Sequence, residues 1–285
     1  MSEIKKVGIV GAGQMGAGIA QTCITAGFET ILWDANQEYL DKGIKGIDKR
    51  ITRLVEKEKL SRGDADAANA RLTKADGVTD FRDCDLVIEA IIENTDVKCA
   101  LFSQLDEIVS PSSILASNTS SISITRLAAS TSRADRFMGV HFMNPVPVME
   151  LVELIRGLQT SNETYETIVS FCHAIKKTTV LALDGPGFIV NRILCPMINE
   201  AIFLLQEGCK PEDIDTSMKL GTNHPMGPLE LADFVGLDTL LYILRILHNE
   251  LGEDKYRPCP LLVKYVEAGW YGKKSGRGFY SYEQH

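Results

Sequence analysis

Short apolar runs alternate with longer, helically periodic segments over most of this chain, and after about residue 184 the short runs stop. The strand-like runs are Val7–Val10, Thr30–Asp34, Leu86–Ile91, Ile114–Ser117, Phe137–Phe142, Met149–Ile155 and Thr179–Leu183. Several are continuously apolar, as strands covered on both faces are. Such alternation predicts an α/β fold: a Rossmann-type doubly wound, mainly parallel sheet with right-handed crossovers. Between the second run and Val78 the chain is polar and helical. There Ile44, Ile47, Ile51, Leu54 and Val55 recur at helical spacing and form one apolar stripe, within a helical arm expected over about residues 38–72.

The texture changes at Asp184-Gly185-Pro186-Gly187, where Gly and Pro punctuate the chain. Helices are expected over Phe188–Gln206 and Pro211–Leu220, within Pro228–Leu251, and over Pro260–Glu267. The expected organisation is an N-terminal sheet domain, residues 1–184, and a C-terminal all-helical domain, residues 185–285.

Composition narrows the function. With 45% hydrophobic and 24% charged residues the chain is an ordinary globular protein, and its net charge of -8 offers no basic excess for a nucleic-acid backbone. The seven cysteines are scattered, without a CxxC pair or a Cys/His cluster, so neither a disulfide framework nor a metal site is expected. No apolar run reaches the roughly 18 residues of a membrane span. The first strand starts close to the first residue, which leaves no room for a signal peptide. The expectation is a soluble, cytoplasmic protein without nucleic-acid or membrane partners; a mature organellar matrix enzyme fits the same sequence.

The most specific motif lies at the start. Lys6-Val7-Gly8-Ile9-Val10 is a strand, and Gly11-Ala12-Gly13-Gln14-Met15-Gly16 reads G-x-G-x-x-G into a helix. Gly11 suits the tight turn, Gly13 lets backbone approach a pyrophosphate, and Gly16 lets helix pack on strand. The helix opening at Gln14 and Met15 aims its amides at the phosphates. About twenty residues downstream Asp34 closes the second strand, where a carboxylate accepts from the adenosine ribose and repels a 2′-phosphate. The cofactor expected is NAD.

Three polar groups interrupt apolar surroundings. His141 ends a strand and Glu153 lies on the returning one, so a carboxylate could fix the imidazole tautomer while the other ring nitrogen moves a proton. Ser117-Asn118-Thr119-Ser120-Ser121 is either a helix cap or a set of donors for a nicotinamide or a carbonyl. Asn191 either bonds the end of its helix or points into an interdomain cleft. On the helical arm Lys49, Arg50, Arg53 and Lys57 form either a solvated charged face or a seat for the phosphates of an anionic substrate.

Taken together, the glycine turn, Ser117–Ser121, His141-Phe142-Met143-Asn144-Pro145-Val146-Pro147, Gly185-Pro186-Gly187-Phe188, Gly227-Pro228 and the tail Gly272-Lys273-Lys274-Ser275-Gly276-Arg277-Gly278-Phe279-Tyr280 resemble the 3-hydroxyacyl-CoA dehydrogenases in order and spacing. The resemblance covers essentially the whole chain, and the compact length is similar to the short-chain 3-hydroxybutyryl-CoA enzymes of fatty-acid and butyrate metabolism. It implies reversible oxidation of (3S)-3-hydroxyacyl-CoA to 3-oxoacyl-CoA with NAD, and a His141–Glu153 catalytic dyad. It further implies Ser120, Asn144 and Asn191 at the substrate, Asp34, Glu93, Lys98 and Asn118 at the cofactor with Ser120 and Asn144 beside them, and Lys57 at CoA. Arg50 stands where the family has a serine, a departure whose charge suits a phosphate, as does that of Arg53. A homodimer through the helical domain is implied, with Leu237–Leu247 apolar enough to supply it. Two rival readings share the architecture: a hydroxyacid or polyol dehydrogenase without CoA, which the basic helix disfavours, and a catalytically silent, crystallin-like NAD-binding protein, which His141 and Glu153 disfavour.

Overall fold

The computed structural model describes residues 4–282, and the chain forms two compact units divided between Asp184 and Gly185. The first unit contains β1 (Lys6–Val10), α1 (Gln14–Thr25), β2 (Glu29–Trp33), α2 (Gln37–Glu56), α3 (Arg62–Ala70), β3 (Leu72–Lys74), β4 (Leu86–Glu89), α4 (Thr95–Ile108), β5 (Ile114–Ser117), α5 (Ile124–Ala128), β6 (Phe137–Phe142), β7 (Leu151–Arg156), α6 (Asn162–Ala174) and β8 (Thr178–Ala182). The second contains α7 (Val190–Gln206), α8 (Pro211–Gly221), α9 (Pro228–Val235), α10 (Leu237–Leu251) and α11 (Pro260–Glu267).

The strands make one sheet of eight in the order β3-β2-β1-β4-β5-β6-β7-β8. From β3 across to β6 every pairing is parallel; β7 then pairs antiparallel with β6, and β8 runs parallel with β7. The sheet is therefore doubly wound and mainly parallel, with its last two strands reversed. The order turns back between β1 and β4, and there the carboxyl ends of the parallel strands open a crevice for a ligand. β4, β5 and β6 are buried at every position, which explains their largely apolar sequences, interrupted only near their carboxyl ends by Glu89, Ser117 and His141.

Local chemistry sets the helix starts. The Asn36, Ser61, Asn94, Ser123 and Ser161 side chains each accept an amide N–H in the first turn of α2, α3, α4, α5 and α6. Pro opens α8, α9 and α11, where its missing N–H costs nothing. On α2, Ile47 and Ile51 are fully buried, with Ile44 and Val55 at the margin of the same core.

The structure adds detail to three expectations. The helical arm over 38–72 is two helices, and the chain after them becomes β3, a three-residue strand on the open edge of β2. That edge of β2 carries backbone groups that need partners: Thr30 N–H donates to Arg71 O, and Leu32 O accepts from Ala75 N–H. The stretch within Pro228–Leu251 splits into α9 and α10 at Gly236, whose φ of 104° belongs to no helix. Finally, Leu237, Leu240, Leu241, Ile243, Leu244 and Leu247 are consumed by the core of their own unit.

The second unit also clasps its own tail. Asp233 accepts from the Phe279 and Tyr280 amides at 2.9 and 3.0 Å, while Asp215 on α8 caps α9 through Leu229 N–H at 2.8 Å and receives the Tyr280 hydroxyl at 2.7 Å. Among the described residues no helix is long and apolar enough to cross a membrane.

Candidate active site

The crevice begins at the glycine turn. Gly11 has φ of 103°, and a Cβ there would lie 2.5 Å from Ala90 O, just past the end of β4. A Cβ at Gly16 would sit 1.8 Å from Gly11 O, so helix and turn touch backbone to backbone. Gly13 is different: it is exposed, and nothing stands within 4 Å of where its Cβ would be. Gly13 also caps α1 without any side-chain hydrogen bond, which leaves the first-turn amides, Gln14 and Met15 among them, for a phosphate. Space at Gly13 and uncapped amides behind it are the features a pyrophosphate requires, so the turn fits a dinucleotide.

Asp34 sits one residue past β2 and is clamped in place. Its carboxylate accepts Ala12 N–H at 2.8 Å and Asn36 N–H at 2.9 Å, joining the glycine turn to the end of β2. Nothing basic follows immediately: Ala35, Asn36 and Gln37 are neutral.

On the other side of the switch point lies a buried charged cluster. Glu89, the last residue of β4, is fully buried; its carboxylate receives Ile91 N–H at 2.7 Å, Ser117 Oγ at 2.6 Å and a close contact from the Lys98 ammonium. Lys98 Nζ also meets Glu93 at 3.1 Å. Glu93 in turn holds the loop after β5, accepting the Thr119 hydroxyl, Ser120 N–H at 3.1 Å and Ser121 Oγ at 3.1 Å. Burial pushes the Glu89 carboxyl up from its ordinary value against the pull of Lys98. At Glu93 burial pushes the same way, but the Lys98 ammonium and the Thr119 hydroxyl outweigh it and hold the carboxyl down. Lys98, which the resemblance puts at the cofactor, is thus buried between two carboxylates. Glu89 escaped the sequence reading; the available signal was an acid closing an apolar strand, which demands a buried partner.

The Ser117–Ser121 loop resolves into separate duties. Ser117 and Thr119 face inward, and Asn118 Oδ1 accepts Phe142 N–H at 2.9 Å, tying the end of β5 to the end of β6. Ser120 is half-buried, and among the described residues its hydroxyl has no partner, as a substrate donor requires.

His141 and Glu153 stand directly opposite each other in the β6–β7 ladder. Imidazole Nδ1 lies 2.7 Å from Glu153 Oε2; Glu153 is fully buried and His141 nearly so. The loop between these strands carries Asn144, whose Oδ1 accepts from Gln14 Nε2 at 2.9 Å, so the loop reaches the glycine turn. The first unit therefore brings together Gly13, Asp34, Glu93, Asn118, Ser120, His141, Asn144 and Glu153 along one end of the sheet. Asn191 is in the first turn of α7, in the second unit.

The basic residues of α2 divide. Arg53 and Lys57 are exposed, but Arg50 folds back on α1, its Nε donating to Gln21 Oε1 and its guanidinium reaching Ala17 O at 3.4 Å.

Known proteins match this chain over both units. The family model described as 3-hydroxyacyl-CoA dehydrogenase, NAD binding domain, matches residues 6–185, and the model of the same family's C-terminal domain matches residues 187–282. A 3-hydroxybutyryl-CoA dehydrogenase of Bradyrhizobium diazoefficiens is 54% identical over 280 residues, 98% of this chain and 96% of that protein. The human mitochondrial hydroxyacyl-coenzyme A dehydrogenase is 45% identical over 98% of this chain and 92% of its own length. Among solved structures, the (S)-3-hydroxybutyryl-CoA dehydrogenase of Ralstonia eutropha superposes with a TM-score of 0.95 at 50% identity, covering 99% of this chain and all of that one.

Two expectations follow from this geometry. Gly13→Ala should lower the melting temperature by only a few degrees, the cost of a poorer N-cap, but weaken NADH binding at least about tenfold, because the added methyl meets no protein atom and stands where the pyrophosphate approaches. Gly16→Ala should instead destabilise the fold; thermal melts and fluorescence titration separate the two, and equal effects on both readouts would contradict the assignment. The second expectation is that NADH is preferred over NADPH by at least about tenfold, ~1.4 kcal/mol. Steady-state kinetics with both cofactors measure it, and equal specificity constants would show that Asp34 does not select.

Proposed function

We propose that this chain, which belongs to the 3-hydroxyacyl-CoA dehydrogenase family and is an NAD-dependent dehydrogenase of that family, interconverts (3S)-3-hydroxybutyryl-CoA and acetoacetyl-CoA with His141 as its acid–base group. The observation that carries the reading is the 2.7 Å contact between His141 Nδ1 and Glu153 Oε2 at the end of an NAD-binding sheet. NAD, when bound, accepts the hydride that leaves C3 of the substrate. With Nδ1 held by Glu153, Nε2 is the atom that takes the C3 hydroxyl proton as the C–H bond breaks, and the carbonyl forms without an alkoxide accumulating. In the reverse direction the imidazolium returns that proton to the C3 oxygen. Glu153, deprived of water, is positioned to stabilise the imidazolium as it forms.

Ser120 supplies a hydroxyl donor for the C3 oxygen, and Asn144, tied to Gln14 of the glycine turn, supplies an amide group to both the cofactor and the thioester end of the substrate. Donors aimed at an oxygen that gains charge in the reductive transition state lower the barrier more than they strengthen ground-state binding. Arg53 and Lys57 on α2 are exposed cations suited to the CoA phosphates. Arg50, spent partly on α1, serves chiefly to brace the helix that carries them. Glu93 and Lys98 act on the cofactor side through the loop they hold, and Asp34 takes the adenosine ribose.

The helical unit exposes Ile193, Leu220, Phe234 and Val235, large apolar side chains that support homodimerisation through this unit. All seven cysteines are free thiols, which supports a reducing compartment such as the cytoplasm.

His141→Gln is expected to lower kcat by roughly 10²–10⁴, the usual worth of a positioned general base. Its NADH dissociation constant should stay within about twofold, because the cofactor contacts lie on other residues. Oxidation of NADH by acetoacetyl-CoA gives the rate, and near-normal turnover would remove His141 from the chemistry. A faster reaction on free acetoacetate than on acetoacetyl-CoA would favour the reading without CoA.

A further inference from the structure

The loop between β6 and β7 carries Asn144 and joins the strands that hold His141 and Glu153, yet most of it is exposed. Its shape is not self-supporting: Val148 and Met149 amides both turn back onto Pro145 O, which leaves the carbonyls of Val146 and Met149 to be satisfied elsewhere. Lys177 does this. Its ammonium, on a side chain only 7% exposed, donates to Val146 O at 2.6 Å and to Met149 O at 2.7 Å. Among the described residues no carboxylate lies within ion-pair distance of that ammonium, so its charge is spent on the loop.

The backbone delivers Lys177 to this place. After α6, Lys176 takes a left-handed conformation with φ of 61°, Lys176 N–H returns to His173 O and Lys177 N–H to Cys172 O. This double closure reverses the chain and turns the next side chain inward. At the first residue of β8, Thr178 N–H bonds Glu150 O, so the loop's exit is fixed by the same segment.

Opposite Lys177 the loop leans on α1. Val146 is buried, and a Cβ on Gly18 would lie 3.0 Å from Val146 Cβ and 3.6 Å from Pro147 Cδ. The loop is thus held between a buried ammonium and a helix surface kept bare by glycine. From that fixed point Asn144 reaches Gln14 beside the glycine turn.

We propose that Lys177 is a positioning residue for the reaction: it holds the 143–150 loop against α1 at Gly18 and thereby sets where Asn144 stands relative to the cofactor turn. Burial also pushes the Lys177 ammonium down from its ordinary value, against the opposing pull of the Glu150 carboxylate. The assignment rests on the reading of Asn144 given above and adds the residue through which Asn144 is placed.

A double-mutant cycle on NADH binding, followed by fluorescence titration of the intact protein, tests it. Asn144→Ala and Lys177→Met are each expected to weaken NADH about tenfold, the usual consequence of losing a charge-assisted hydrogen bond or its geometry. In the Asn144→Ala background Lys177→Met should add less than about twofold, because both act through one contact. Should Lys177→Met not fold, Gly18→Ala displaces Val146 from the other side, and the same non-additivity with Asn144→Ala is expected. Multiplicative effects in either cycle would overturn the role of Lys177 while leaving that of Asn144 intact. Normal NADH affinity in Asn144→Ala would overturn the reading of Asn144 and the Lys177 assignment with it.

Discussion

One ladder pairing governs this site: His141 on β6 faces Glu153 on β7. Side chains alternate along a strand, so sliding β7 by one residue would carry Glu153 to the opposite face of the sheet. A fully buried carboxylate resists that move, since it would lose the imidazole hydrogen bond that helps to hold its charge away from water. The reversal of β7 is what makes the pair possible. A parallel crossover would have taken a dozen or more residues and a helix before returning; the antiparallel one returns within a loop of eight, from residue 143 to residue 150.

Around that pair, the ends of the parallel strands are fastened to one another by side chains that bond backbone. Asp34 fixes the glycine turn, Asn118 fixes β5 to β6, and Glu93 fixes the Ser120 amide. Behind Glu93, Lys98 and Glu89 form a buried ion pair whose disruption is costly, because removing Lys98 leaves the fully buried Glu89 without its counter-charge. The groups that face the ligands are therefore few, and the groups that hold them still are numerous. Such rigidity is what keeps donors aimed at an oxygen before charge develops on it.

Periodicity and motif carried most of the architecture. β5 and β6 coincide with their apolar runs, and the glycine turn was readable because each glycine answers a different steric demand. β3 was not readable, since three residues on a sheet edge, one half-buried and two exposed, carry no period. The break at Gly236 lay inside one long apolar stretch whose two helices share a core. Charged residues carried the least positional signal. Arg50, Lys98 and Lys177 look in sequence like surface cations, and only tertiary packing shows that all three turn inward to carbonyls or carboxylates. Glu153 was legible as a partner for His141 because a Pro-rich turn separates two strand-like runs, although their register was not.

The claim that His141 and Glu153 work as one unit is tested most directly by a kinetic cycle of His141→Gln, Glu153→Gln and the double variant, with kcat for acetoacetyl-CoA reduction as the readout. Groups that act together are strongly non-additive. The account predicts that the double variant is slower than His141→Gln alone by less than about threefold. A double variant whose loss equals the product of the two single losses would show that Glu153 acts independently of the imidazole, and would contradict the account.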